Sequence, residues 1–326
     1  MYCFNCSTHL ERKGSTRCTE CSTWLHKECS IQGLCDVCLI NAGERDTVKV
    51  EIPEIIRRSY IETYKKCPHK FLKQVLEDNP MPANIYTQLG IDLHEEFEKA
   101  CNDRAYSIEE MRRKFEEYWD TYGDELFVEY ATREKMYARG HESIVGFYNV
   151  LETLPIKPFA TEETLRLNIG EGLPNIQITM DRIDMDENVE LHIHDWKTGK
   201  VIVGKKISSD LQPPLYIKLV GDHYGKNVKS FNLWYVNEGK SRHYYQSEKD
   251  PNVYVCTVGK RPYYTNTTDA IREVQHLFSQ IVKGNFNIPR DTKNLYYECK
   301  MCHIKELGLC SGAEEQSWKN VWGGKV

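Results

Sequence analysis

Thr179-Met180-Asp181-Arg182-Ile183-Asp184, and beyond a turn His194-Asp195-Trp196-Lys197-Thr198-Gly199-Lys200, are the two stretches on which the fold depends. They end segments that alternate polar and apolar residues, Asn175 to Ile183 and Val189 to Trp196, with Asp186 to Asn188 as a turn, and read as paired strands. Residues i and i+2 of a strand share a face, so Asp195 and Lys197 converge on one point while Trp196 turns away. Asp181, on the adjacent strand, reaches the same point. Two carboxylates there suit Mg²⁺ or Mn²⁺, hard cations that take oxygen ligands and retain waters. Lys197 beside them is placed to orient and help deprotonate an attacking water, and to steady charge growing on a phosphorane. These three residues alone also suit a solvated strand end, so the flanking sequence has to decide.

Upstream of them, Phe159 to Leu167 is a third alternating strand, followed by a turn at Gly170 to Pro174. Ser59 to Glu77 reads as a helix with Ser59 as N-cap, and Gln88 to Asn102 as a second with Leu89, Leu93 and Phe97 at helical spacing. Charge-rich helical sequence continues from Glu109 to Asn149. Downstream, Leu211 to Val220 predicts a helix with a Pro-Pro start, Phe231 to Val236 a buried strand, and Thr268 to Val282 a further helix. No internal repeat appears. Helices, a three-strand meander, a helix, a strand and a helical end predict an α/β domain with a mixed sheet flanked by helices.

The 326 residues suit about two domains. Apolar residues at 40% and charged residues at 28% exclude a disordered scaffold. A net charge of −5 excludes a polycation that coats nucleic acid by charge alone, so any such contact is local. No apolar run is long enough to span a membrane, and the opening Met1-Tyr2-Cys3-Phe4-Asn5-Cys6 lacks a basic n-region and an apolar h-region. The expected location is the cytoplasm or another reducing compartment, the nucleus in a eukaryote. Thirteen cysteines in such a chain point to thiolates held on metals rather than to disulfides. Cys101 and Cys256 have no partners at ligand spacing and read as buried or free thiols.

Five motifs, in order, resemble the RecB-like branch of the PD-(D/E)XK nucleases over most of residues 55 to 312. Ser59-Tyr-Ile61-Glu-Thr-Tyr64-Lys-Lys-Cys67-Pro68-His-Lys-Phe71 looks like that family's opening S-x-I…C-P-x-x-F helix, and Gly90-Ile-Asp-Leu-His94-Glu-Glu-Phe97 is similar to its G-x-x-x-H helix. The two strands quoted above look like G-x-I-D-R-I-D and D-Y-K-T-G-K, and Gln212-Pro-Pro-Leu215-Tyr216 looks like the Q-x-x-L-Y of the helix behind them. The resemblance implies that His94, Asp181, Asp195 and the Trp196 carbonyl hold the metal and that Lys197 is the catalytic lysine. It implies that Gln212 and Tyr216 support the site or touch DNA. A further family glutamate falls on Glu162 or Glu163, with Glu162 favoured because Leu165 then takes the expected apolar position. Two residues depart from the pattern. Ile178 stands where the family has glycine, either narrowing the approach of DNA or packing, and Trp196 stands where it has tyrosine.

The head of the chain carries four ligand pairs: Cys3 and Cys6, Cys18 and Cys21, His26 and Cys29, Cys35 and Cys38. Eight ligands saturate two tetrahedral Zn²⁺ ions, and a segment this short needs metal to fold. The stretch Cys18 to Cys29, with Trp24 before His26, resembles a PHD- or RING-like cross-brace finger, although the gap from Cys29 to Cys35 is shorter than in such fingers. Residues 1 to 45 are therefore expected to form a two-zinc domain that binds a protein partner or DNA, and residues 46 to 326 the nuclease-like domain. Trp24 suits the packing of this small core or stacking on a ligand.

Cys299, Cys302 and Cys310 form C-x2-C-x7-C, and Cys67 supplies a fourth thiolate. In a subset resembling the AddB nuclease domain and the CRISPR-adaptation nucleases, cysteines so placed bind a 4Fe-4S cluster, for which four thiolates are the usual ligands. A third structural zinc using His303 is the alternative. The resemblance implies a deoxyribonuclease, an exonuclease or an end- or flap-processing enzyme on single strands or duplex ends in recombination, repair or replication. A helicase would be a separate protein, since no G-x4-G-K-[ST] loop is present. Lys197 to Lys206, with four lysines, and Lys260-Arg261-Pro-Tyr263-Tyr264 suit phosphate contact with stacking, or solvated loops. Lys200, Lys260, Arg261 and Tyr216 are the candidate DNA contacts. The competing readings are a catalytically silent adaptor that binds DNA ends or protein, and a reader of chromatin peptides.

Overall fold

The computed structural model describes residues 15–17, 24–26, 51–128, 130–286, 299 and 302–310. The zinc ligands Cys3, Cys6, Cys18, Cys21, Cys29, Cys35 and Cys38 lie outside them, as does the side chain of His26. In the head, Ser15–Arg17 (β1) and Trp24–His26 (β2) pair antiparallel. The described residues fall into two compact units. One gathers residues up to Pro82, Asn168–Ile176 and those from Arg272 onward; the other consists of Ala83–Leu167 and Gln177–Ile271. No helix among them is long and apolar enough to cross a membrane.

The second unit begins with three helices whose starts are written in the sequence. Asn84 caps α3 (Ile85–Asn102) by accepting the Tyr86 and Thr87 N–H groups at 3.1 Å. Ser107 and Glu110 form a capping box at α4 (Ile108–Thr121), and Thr132 caps α5 (Arg133–Leu151). The helical run expected from Glu109 to Asn149 is thus two helices, interrupted between Tyr122 and Thr132. Leu89, Leu93 and Phe97 bury the same side of α3, where Phe97 stacks on Phe147 at 4.1 Å and Phe147 meets the Trp196 ring edge-on at 5.1 Å. Gly146 lets α5 approach closely: a Cβ there would sit 1.9 Å from the Val236 carbonyl oxygen.

The sheet runs β10-β9-β8-β7-β6-β5-β3, with β4 also pairing β5, eight strands in all. The expected meander is present as β4 (Ala160–Leu167), β5 (Asn175–Met185) and β6 (Leu191–Lys197). The first half of β5 alternates in burial and the second is buried continuously, as a strand covered on both faces must be. β7 (Val228–Tyr235) lies parallel to β6, which requires a crossover. Short α6 (Lys206–Ser209) and α7 (Gln212–Tyr224) supply it. Antiparallel β8 (Lys240–Gln246), β9 (Val253–Val258) and β10 (Arg261–Asn266) then extend the sheet. The sequence reading left these three out, although Val253 to Val258 alternates.

In the first unit, β3 (Ile55–Arg57) leads into α1 (Arg58–Lys66). The expected single helix from Ser59 to Glu77 is divided at Cys67, whose backbone is extended with φ −153° and ψ 104°. Pro68 is the cause, since the residue before a proline is forced out of the helical region and proline then starts the next helix. That helix is α2 (Pro68–Phe71), which runs on as a π-turn over Leu72–Leu76. Tyr64 donates to the Asn285 carbonyl at 2.6 Å, and Phe71 stacks on Phe286 at 6.2 Å. α8 (Thr267–Val282) and α9 (His303–Glu306) complete the described chain.

Candidate active site

β5 and β6 pair with Arg182 opposite His194, a register that carries on to Asp181 facing Asp195. The Trp196 N–H donates to Asp181 Oδ2 at 2.6 Å, and His94 of α3 brings Nδ1 to 3.5 Å from Asp181 Oδ1. Ligand atoms of His94, Glu162 and Asp181 all lie within 4.8 Å of one another. Asp195 sits alongside, with Oδ2 2.6 Å from Lys197 Nζ and Oδ1 accepting from Gln212 Nε2 at 2.5 Å. Gln212 is placed by the first turn of α7, where Pro213 and Pro214 suit positions whose N–H groups have no partner inside the helix.

Glu162 is the residue of the Glu162-Glu163 pair that reaches this cluster, and its backbone shows how. Its φ of 45° lies in the left-handed region, a conformation that costs a non-glycine residue about 1 kcal/mol. Glu163 instead bonds Tyr224. Burial raises the Glu162 carboxyl to about 7, and the Asp181 charge adds to the effect.

Burial pushes Asp181 upward, but the charge and hydrogen bond of His94, the Lys197 charge and the Trp196 N–H outweigh it, leaving the carboxyl below its ordinary range. For Asp195 burial prevails, with Asp181 adding like charge against the attraction of Lys197, and the shift is upward. Burial lowers His94, yet Asp181 more than reverses this. Asp195 Oδ2 is buried and faces the Lys197 ammonium. Crowded carboxylates and an imidazole fit a hard divalent cation. His94, Glu162, Asp181 and Asp195 are the side chains that can hold one.

The opposite face of the two strands carries a connected chain of polar side chains. Asp184 accepts from Arg182 Nε at 2.9 Å and lies 3.3 Å from His194 Nε2, while Trp234 Nε1 donates to His194 Nδ1 at 3.0 Å. An indole N–H can only donate, so His194 Nδ1 carries the lone pair and Nε2 the proton that faces Asp184. The D-R-I-D spacing held the signal for Arg182 and Asp184, one residue apart on the same face. Arg139 of α5 is another residue the sequence reading missed. Its Nε donates to the Thr198 carbonyl at 2.8 Å, fixing the turn after Lys197, and Gly90 lies beneath the same turn, 3.5 Å from Thr198 Oγ1 at its Cβ position.

Other expected residues fall elsewhere. Tyr216 is buried with its ring edge-on to Phe231 at 5.8 Å, so it supports the sheet and does not face solvent. Ile178 is buried and packs. Lys200 is exposed beyond the Thr198 turn. Lys260 lies in the turn between β9 and β10 and Arg261 opens β10, four strands from β6, a distance of about 19 Å. Arg261 lies over the Tyr263 ring at 5.1 Å. Cys101 and Cys256 are buried free thiols. Cys67 is pushed up to about 11 by burial, with Cys299 and Cys310 close enough to add to the shift, and its Sγ accepts the Lys70 N–H at 3.4 Å. Buried His303 points Nε2 at the Asn79 carbonyl, 3.1 Å away.

No curated protein matches this chain. It is similar to the crystal structure of SSO0001, at 13% identity and a TM-score of 0.32 over 84% of this chain and 91% of that one. The model of the PD-(D/E)XK nuclease superfamily matches residues 58–307, a span that contains every residue of the carboxylate cluster and Lys197. The chain belongs to the PD-(D/E)XK nuclease superfamily.

Proposed function

We propose that this protein is a metal-dependent deoxyribonuclease, an exonuclease or end- or flap-processing enzyme acting on single strands or duplex ends in recombination, repair or replication. The observation that carries the reading is the convergence of Lys197, Asp195, Asp181, Glu162 and His94 in one cluster on a superfamily nuclease core. His94, Asp181, Asp195, Glu162 and the Trp196 carbonyl would hold Mg²⁺ or Mn²⁺. Such an ion, when bound, supplies charge stabilisation to the reacting phosphate and acidifies water. Lys197 orients the attacking water and steadies the charge that grows on phosphorus. Gln212 keeps the Asp195 carboxylate aimed, and the Trp196 N–H does the same for Asp181. In-line attack breaks the bond to the 3′ oxygen and leaves 5′-phosphate and 3′-hydroxyl ends.

The four thiols Cys67, Cys299, Cys302 and Cys310 would hold a 4Fe-4S cluster, supported by the electrostatic coupling of Cys67 to Cys299 and Cys310 and by the Lys70 N–H aimed at its sulfur. Iron and acid-labile sulfide in anaerobically purified protein would support this; stoichiometric zinc there, with His303 as ligand, would replace it. Residues 1–45 would form the two-zinc domain and steer the enzyme to DNA or to a protein partner.

The test is degradation of end-labelled single-stranded and duplex DNA with Mn²⁺, Mg²⁺ or EDTA, beside Asp195→Ala and Lys197→Ala. Metal-dependent degradation lost in both variants is the expected result, and the product ladder reports polarity. Activity unchanged in the variants, or absent from folded and metal-loaded wild type, sinks the reading and leaves a DNA-end adaptor.

A further inference from the structure

Tyr86, Gly90 and His94 are spaced four residues apart on α3 and so share one side of that helix. His94 lies in the carboxylate cluster, Gly90 lies under Thr198, and Tyr86 occupies the outer end of the row with 40% of its surface exposed. At 1.5 Å per residue the row climbs about 12 Å from the cluster to the surface, which is about the reach of three to four nucleotides of stacked single strand. The Arg139 guanidinium lies over the Tyr86 ring at 5.4 Å. The same guanidinium grips the Thr198 carbonyl, one residue past Lys197. A single arginine therefore ties an exposed aromatic ring to the turn that carries the candidate catalytic lysine.

From this juxtaposition we infer that Tyr86, backed by Arg139, is a stacking platform for a base of single-stranded DNA about three nucleotides from the bond being cut. The inference rests on the nuclease reading and names how the substrate is held. Three features support it. The ring is exposed in the first turn of the helix, on the side that carries Gly90 and His94. Its position is held by the helix cap at Asn84 and by Arg139, so little freedom is lost on binding. A cationic partner on one face of an aromatic ring leaves the other face for a base, and the same charge favours the flanking phosphates. Stacking is blind to base identity, so the platform fits an enzyme that processes strands without regard to sequence.

The experiment uses the full-length protein, fluorescein-labelled oligothymidylate in EDTA for binding, and the same strand unlabelled with Mn²⁺ for turnover. Tyr86→Ala should weaken binding about tenfold or more and raise KM in step. Tyr86→Trp should bind at least as well as wild type, because the larger ring stacks better. Its thermal midpoint should match wild type, since the ring is exposed. Wild-type affinity in Tyr86→Ala, or Tyr86→Trp as weak as Tyr86→Ala, overturns the platform while leaving the nuclease standing. Wild type that neither binds nor cuts DNA sinks both, and Lys197→Ala separates the two failures because it should lose turnover and keep the Tyr86-dependent binding.

Discussion

Asp184 and Asp195 are carboxylates on neighbouring strands, each 3% exposed, and their surroundings treat them oppositely. For Asp184, burial opposes the charge, but His194 and Arg182 outweigh it and hold the carboxyl below its ordinary value. For Asp195, burial prevails, Asp181 adds like charge, and Lys197 offsets only part of it. One face of the β5–β6 ladder pairs its carboxylate with Arg182 and His194; the other crowds carboxylates together and offsets their charge only in part. Equal burial thus says nothing of role, and the partners each carboxylate finds across the sheet decide it.

The contrast can be broken by substitution. Asp195→Asn should cut DNA hydrolysis about a thousandfold while the thermal midpoint stays level or rises, because a buried like-charge contact with Asp181 is removed. Retained hydrolysis with a fallen midpoint would erase the distinction between the faces. Asp184→Ala strands a buried guanidinium and should cost about 3–5 kcal/mol in urea unfolding; a cost near zero would show that Arg182 finds another partner.

Glu96 on α3 extends the paired class. Its buried side chain takes hydrogen bonds from Lys99 and Tyr118 at 2.8 Å and from Tyr106. Burial alone would raise its carboxyl, but these donors hold it below the ordinary 4.5. Its contribution to stability is therefore fully present above pH 4.5 and is lost as the pH falls through the lower folded value. Glu96→Gln should cost about 2 kcal/mol at neutral pH and flatten the acid limb of the stability curve; an unchanged limb would remove Glu96 from this class. The smallest effect belongs to Trp234→Phe, which takes away the donor to His194 Nδ1 and should cost about 1 kcal/mol. It should also free the His194 tautomer, which ¹⁵N chemical shifts would report. A cost as large as that of Asp184→Ala would mean that the ring's packing, and not the polar chain, holds this face together.

Legibility in the sequence followed the range of the physics. The α/β order, the three-strand meander and the pairing of Asp195 with Lys197 were readable because strand alternation and the i, i+2 rule act over a few residues. His94 was readable through its helical motif. The cut at Cys67 was missed although Pro68 spelled it out, because the apolar spacing on either side carried the reading across it. β8 to β10 were missed for another reason. At the far edge of the sheet their alternation is diluted by exposed Tyr245 and Tyr264, so periodicity was a weak guide.

What the sequence by itself determined is the chemistry: the residue types of a candidate cation site, their spacing along two strands and a helix, and the superfamily to which those motifs belong. What only the tertiary structure decided is which neighbours those residues have. Glu162 rather than Glu163 enters the cluster because a left-handed backbone turns it inward. Tyr216 is buried because Phe231 covers it, and Arg139 reaches the Thr198 turn across 59 positions of chain. Such contacts join segments that no local rule relates, and they form only when hydrophobic burial brings the helices onto the sheet.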